Sequence, residues 1–143
     1  MQMAEIDLAA AQQVLATQPF NDVVGARLTA FGGGEAVLEL DITDQHRQQF
    51  GLVHGGVLAY CADNALTFAA GTVLGAGILT AEVAVRYLRP ARDGRLRTEA
   101  IVEYHDRSLA VCSARVSTLG PDGSTTLCAL ASGSARISDR QSP

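Results

Sequence analysis

Two glycines and a carboxylate carry the most chemical information in this chain: His54-Gly55-Gly56 opens an apolar run, and Asp63 lies within it. From Gly55 to Leu74 the residues are Ala, Leu, Val, Phe, Cys and Gly, broken by Asp63, Asn64 and a few hydroxyl side chains. A stretch apolar on every side is a buried helix. An ionisable Asp inside it is costly unless it is paired, protonated or used. The glycines fall on the first turn, where N–H groups have no intrahelical partner and the helix dipole adds partial positive charge. They present those donors bare, which suits an oxygen that becomes negative during acyl transfer. A tight turn with close backbone packing calls for the same two residues. A carboxylate in apolar surroundings either finds donors or is pushed towards its neutral form, and both outcomes suit a general base or nucleophile. The structural alternative for Asp63 is a bond to Thr67, one helical turn later on the same face.

Spacing adds a constraint. Eight residues separate Gly55 from Asp63, which is roughly 12 Å along a helix. No single acyl carbonyl can touch both. If both act on one substrate they come from different chains, so an enzyme reading requires a two-fold dimer with its helices antiparallel or nearly so.

The chain has 143 residues, enough for one domain with one core. Hydrophobic residues make up 48% and charged ones 18%, a globular balance. The formal net charge of −4, without a basic cluster, argues against nucleic acid as a partner, while a small anionic ligand needs only a local patch of arginines. Cys61, Cys112 and Cys128 are widely spaced and read as reduced, buried small hydrophobes. Together with His46, His54 and His105 they show no zinc-type spacing, and no metal or cofactor is called for. The N-terminal residues are amphipathic rather than a signal peptide, and Asp63, Asn64 and several glycines argue against a membrane span. The expected compartment is the cytoplasm.

The elements that must position these residues follow from periodicity and breakers. Ile6, Leu8, Ala9, Val14 and Leu15 fit a short amphipathic helix before Pro19. Val24–Phe31 and Glu35–Ile42 form a hairpin around three glycines, and Thr43–Phe50 is a polar loop or short turn. The central helix runs from Gly55 to Leu74 and ends at Gly75 and Gly77. Strands follow over Ile78–Arg89, Arg95–His105, Arg107–Leu119 and Ser124–Ile137, separated by Pro90, Asp93-Gly94 and Gly120-Pro121-Asp122-Gly123, with a polar tail after them. A single curved sheet wrapped around an apolar helix buries that helix most simply, an α+β arrangement.

His-Gly-Gly with Asp nine positions after the His resembles the hotdog-fold acyl-CoA thioesterases, most closely the PaaI-like branch that includes phenylacetate-pathway and 4-hydroxybenzoyl-CoA enzymes. Thr80 to Pro90, ending Tyr87-Leu88-Arg89-Pro90, looks like that family's strand after the helix, and Asp106-Arg107-Ser108-Leu109 resembles a later turn and strand start. The resemblance covers about residues 20 to 137 of a single domain. It implies that Asp63 is the general base or nucleophile, its short reach favouring a base that acts through water. Gly55 would bind the thioester oxygen, supported by Gly56. Gln48 would orient water or the carbonyl, a part that Gln49 beside it could play equally; Thr67 would lie near the attacking water, and Thr80 would face the site. His54 would organise the turn rather than act as a base. Arg89, Arg107 with Ser108, and Arg86 would meet the phosphates of CoA. The acyl group would lie in an apolar pocket lined by residues such as Val57, Leu58, Tyr60 and Phe68. Similar proteins form dimers of dimers, so a homo-oligomer is expected. Two rivals stay open: a hydratase or dehydratase of the same fold, which needs a His poised with an acid, and a non-catalytic module that binds an acyl ligand.

Overall fold

The computed structural model describes residues 6–138, as three helices and six strands. Helix α1 (Leu8–Ala16) begins where the Asp7 side chain accepts from the Ala10 N–H at 2.8 Å, and it buries Ala11 and Leu15. Helix α2 (Pro19–Val24) is a six-residue segment that the periodicity did not reveal. Its signals are punctuation only: Pro19 at the first turn, and Gly25 in the left-handed region at φ 83°. The Asn21 side chain then brackets the Ala26 backbone, accepting from its N–H and donating to its carbonyl, both at 3.0 Å. The first strand, β1 (Arg27–Gly32), therefore starts three residues later than expected from Val24.

Strand β2 (Glu35–Asp41) shows the expected alternation, with Ala36, Leu38 and Leu40 buried. A single 3-10 turn over Asp44–His46 interrupts the polar loop. Helix α3 (Gly55–Leu74) is the predicted central helix; it buries Leu58, Cys61, Ala62, Ala65, Leu66, Phe68, Ala69 and Ala70. Its length and composition would suffice to cross a membrane, but the sheet wraps it instead. Strands β3 (Ile78–Tyr87), β4 (Arg95–His105), β5 (Leu109–Leu119) and β6 (Thr125–Ile137) complete the domain.

All ladders are antiparallel, in the order β1-β2-β4-β5-β6-β3. Strand β3 thus leaves α3 and pairs at the far edge, on β6. Most of its residues are exposed, among them Leu79, Val83 and Tyr87. Its register slips between Thr80 and Glu82, where Ala81 forms a bulge. Just past that slip Val83 pairs with buried Gly133, where a Cβ would overlap the Glu82 carbonyl oxygen and approach Val83 Cα at 3.1 Å.

Candidate active site

Two places on α3 that face β3, its N-terminus and its third turn, define two poles. At the N-terminus His54 is the N-cap, and its Nδ1 accepts from the Gly56 N–H at 2.8 Å. That bond makes Nδ1 the unprotonated nitrogen and places the proton on Nε2. A Cβ at position 56 would stand 3.0 Å from Nδ1, so glycine there is part of the cap. The His54 N–H in turn donates to the His46 carbonyl at 2.8 Å. The Gly55 N–H donates to no described residue, and its carbonyl accepts from the Tyr87 hydroxyl at 3.1 Å. The Tyr87 ring lies over Gly55, 3.4 Å from where a Cβ would be.

Gln48 stands across an open cleft of about 310 Å³ that also has Gly55, Leu58, Tyr87 and Arg89 in its walls. Its Oε1 accepts from the Phe50 N–H at 2.6 Å and the Leu52 N–H at 3.4 Å. Two donors on the oxygen fix the amide's orientation, so Nε2 is left as a donor with no described partner. Gln49, its equal candidate in the sequence, is exposed with no such role.

Asp63 is the second pole, half-buried, on the third turn of α3. Its Oδ1 accepts from the Thr80 hydroxyl at 2.6 Å and from the Thr67 hydroxyl at 3.4 Å. Thr67 also donates to the Asp63 carbonyl at 2.8 Å, the local back-bond that a structural reading predicts. The two threonine oxygens are 3.1 Å apart. Oδ2 accepts from no described residue, so one carboxylate oxygen is anchored and the other is open.

Beyond Thr67, a cavity of about 130 Å³ runs between α1, β1 and α3, with Phe31, Asn64, Phe68, Gly71 and Ile78 in its walls. Of the residues expected around an acyl group, Phe68 lines this cavity and Leu58 the cleft at Gly55. The Tyr60 hydroxyl is turned towards Asn21 at 2.8 Å and Asn64 at 2.9 Å.

Within one chain the two poles stay apart, as the helix spacing demands. Arg89 is exposed at the rim of the cleft by Gly55. Arg107 and Ser108 occupy the β4–β5 turn, where Asp106 Oδ1 accepts from the Ser108 N–H at 2.9 Å and the Leu109 N–H at 3.0 Å. That turn is at the Thr80 end of the sheet but two strands from β3, about 10 Å away. Arg86 is exposed on β3.

Tyr87 is the site residue that sequence reasoning did not single out, although it stands in the Tyr87-Leu88-Arg89-Pro90 stretch that marks the strand end. Its co-orientation with Thr80 was not legible either. Residues seven apart in a regular strand point to opposite faces. The bulge at Ala81 corrects the parity, so Thr80 and Tyr87 both turn towards α3.

A curved antiparallel sheet wrapped around one long central helix is the hotdog fold. A profile of the thioesterase superfamily matches residues 50–124, and the chain belongs to that family. No curated protein matches the chain. Among solved structures, a thioesterase family protein from Silicibacter pomeroyi is 27% identical, with a TM-score of 0.82 over 88% of this chain and 95% of that one. The PaaI protein of the E. coli phenylacetic acid degradation operon shares the fold at 21% identity, with a TM-score of 0.77 over 90% of each chain. A thioesterase from Haemophilus influenzae shares it at 19% identity, with a TM-score of 0.80 over 99% of this chain and 95% of that one. Family membership supports acyl-thioester hydrolysis as the general reaction.

Proposed function

We propose that this protein is an acyl-CoA thioesterase whose active site is completed across a two-fold dimer. One observation carries the proposal: a single free edge strand, β3, touches both poles, with Thr80 on Asp63 and Tyr87 on Gly55. Antiparallel pairing of two β3 strands with Thr80 opposite the partner's Tyr87 would bring each Asp63 towards the partner's Gly55. That removes the spacing conflict along α3 and covers the exposed Leu79, Val83 and Tyr87.

In this reading the thioester oxygen accepts from the Gly55 N–H, strengthened by the helix dipole, and from Gln48 Nε2. Asp63 Oδ1 is held by Thr80 and Thr67, and Oδ2 takes a proton from water as the water attacks the carbonyl carbon. The tetrahedral oxyanion forms at the Gly55 donor, and its collapse expels the CoA thiolate, leaving the free acid. The cavity beside Thr67 takes the acyl group. At about 130 Å³ it is close to the size of an engineered cavity that binds benzene, so it suits one ring or a short chain. The same pairing sets Arg107 and Ser108 of one protomer at the sheet end that holds the partner's Arg89, a position suited to CoA phosphates. The cytoplasm is the compartment this activity implies, and a tetramer would form by packing two such dimers. The hydratase reading is disfavoured by His54, whose Nδ1 is engaged as a helix cap rather than poised with an acid.

The test is steady-state thiol release from acyl-CoAs running from acetyl to palmitoyl, with phenylacetyl and hydroxybenzoyl included. The expected profile peaks at compact acyl groups and falls for long chains. Asp63→Ala should lose about a hundredfold or more of kcat. Thiol release that survives that substitution would remove Asp63 as the base, and no release from any substrate would leave the binding-module reading.

A further inference from the structure

We propose that Arg47 is the positioning residue that holds the two walls of the Gly55 cleft at a fixed separation, and through them Gln48. The inference rests on the thioesterase reading for its effect on rate, and on geometry alone for its effect on the loop.

Arg47 is mostly covered, its side chain 22% exposed, and its guanidinium reaches three separate segments. One terminal nitrogen donates to the Gly51 carbonyl at 2.8 Å and to the Arg92 carbonyl at 2.5 Å. The other pairs with Asp93 at 3.1 Å, and Nε pairs with Asp44 at 3.3 Å. Neither carbonyl accepts from any other described group. Gly51 belongs to the loop that carries Gln48, while Arg92 and Asp93 belong to the β3–β4 connection that carries Arg89. A planar fork of five donors can bridge such a set; the point charge of a lysine cannot.

The base of the loop has a tie of its own, because the Val53 N–H donates to the Ala91 carbonyl at 2.9 Å. The loop is also closed internally, by Gln48 N–H to the Leu52 carbonyl at 2.8 Å and Gly51 N–H to the Gln48 carbonyl at 3.0 Å. Loss of Arg47 would therefore leave the fold and the loop's own turn in place. It would release the loop tip from the opposite wall, with the Gln48 amide on it. Asp44 and Asp93 are 101% and 83% exposed, so their ion pairs contribute little. The two carbonyl contacts carry the positioning.

The experiment compares wild type, Arg47→Ala, Arg47→Lys, Gln48→Ala and the Arg47→Ala/Gln48→Ala double variant in thiol release from benzoyl-CoA and hexanoyl-CoA. Melting temperature and amide exchange at Phe50 and Leu52, the two donors to Gln48 Oε1, are measured on the same samples. Arg47→Ala is expected to lower kcat about tenfold, as Gln48→Ala does, with KM changing less than kcat and the double variant no worse than Gln48→Ala. Arg47→Lys should keep the wild-type melting temperature, as Arg47→Ala does to within a few degrees, and should not recover kcat. Multiplying losses in the double variant, or a lowered melting temperature with kcat intact, would overturn the inference. If wild type releases no thiol, the thioesterase reading fails, and amide exchange still decides for Arg47. Faster exchange at Phe50 and Leu52 in Arg47→Ala, with the α3 amides unchanged, supports the clamp, and unchanged exchange rejects it.

Discussion

Asp63 sits where an apolar helix would have to bear an unpaired charge, and two hydroxyls from different elements relieve it. The Thr80 bond, at 2.6 Å, is the shorter and comes from a separate element, strand β3, so it sets the carboxylate's orientation more than Thr67 does. Thr80→Val should lower kcat about tenfold, the equivalent of one such bond, while Thr80→Ser should keep most of it. A pre-steady-state burst with Thr80→Val would instead indicate a step other than water activation. Cys61, two positions before Asp63, is the nearest nucleophile along the helix, and burial pushes its thiol up to about 12. Burial likewise pushes Cys112 up to about 11, so neither is appreciably thiolate at pH 8. Native protein at pH 8 should therefore resist iodoacetamide at both positions and react at them once unfolded in urea, read by mass spectrometry. Rapid native labelling of Cys61 with loss of activity would contradict its burial and point to the thiol as the attacking group.

Strand β3 connects these residues to the rest of the fold, and its bulge is the decisive element. If Ala81 paired regularly instead of bulging, Thr80 and Tyr87 would face opposite sides of the sheet, and one pole of α3 would lose its contact. Gly133 on β6 makes room for the bulge, since a side chain there would meet the Glu82 carbonyl. Gly133→Ala is thus expected to cost about 1–3 kcal/mol of stability, as overpacking does, seen as a lower urea midpoint. It should also lower kcat more than an equally destabilising change at Ala36, a buried residue of β2, four strands from β3 in the sheet order. Equal losses at the two positions would mean that the bulge matters to folding alone.

At the scale of the molecule, the proposed sharing of two active sites between two chains makes a prediction that a monomeric enzyme cannot meet. Gly55→Pro would remove the N–H at the first helical position, which tolerates proline, and His54 at φ −59°, ψ 134° already has the backbone that precedes one. Asp63→Ala and Gly55→Pro should each be nearly inactive alone. After mixing and subunit exchange, about half the dimers are mixed and each holds one intact site of two, so about a quarter of wild-type activity should return. No recovery, with exchange verified by native mass spectrometry, would place both groups in one chain's site and refute the shared arrangement.

The local features were determined by the sequence itself. Glycine and histidine at the head of an apolar run give a capped helix N-terminus, and alternation over Ala36, Leu38 and Leu40 gives a strand with one buried face. The breakers at Pro90, Asp93-Gly94 and Gly120 to Gly123 separate the last strands. These depend on neighbours within a turn or two, where side-chain period and backbone preference act directly. Helix α2 escaped because six residues are too few for a period to show. Tertiary structure alone decided the rest: that the Thr80 hydroxyl bonds the Asp63 carboxylate, that Tyr87 covers Gly55, that β3 is a free edge, and that Arg47 spans three segments. Each depends on strand register or on loops brought together from about 40 or more positions apart. A bulge admitted by Gly133 on a neighbouring strand leaves no periodic trace in the residues that it reorients.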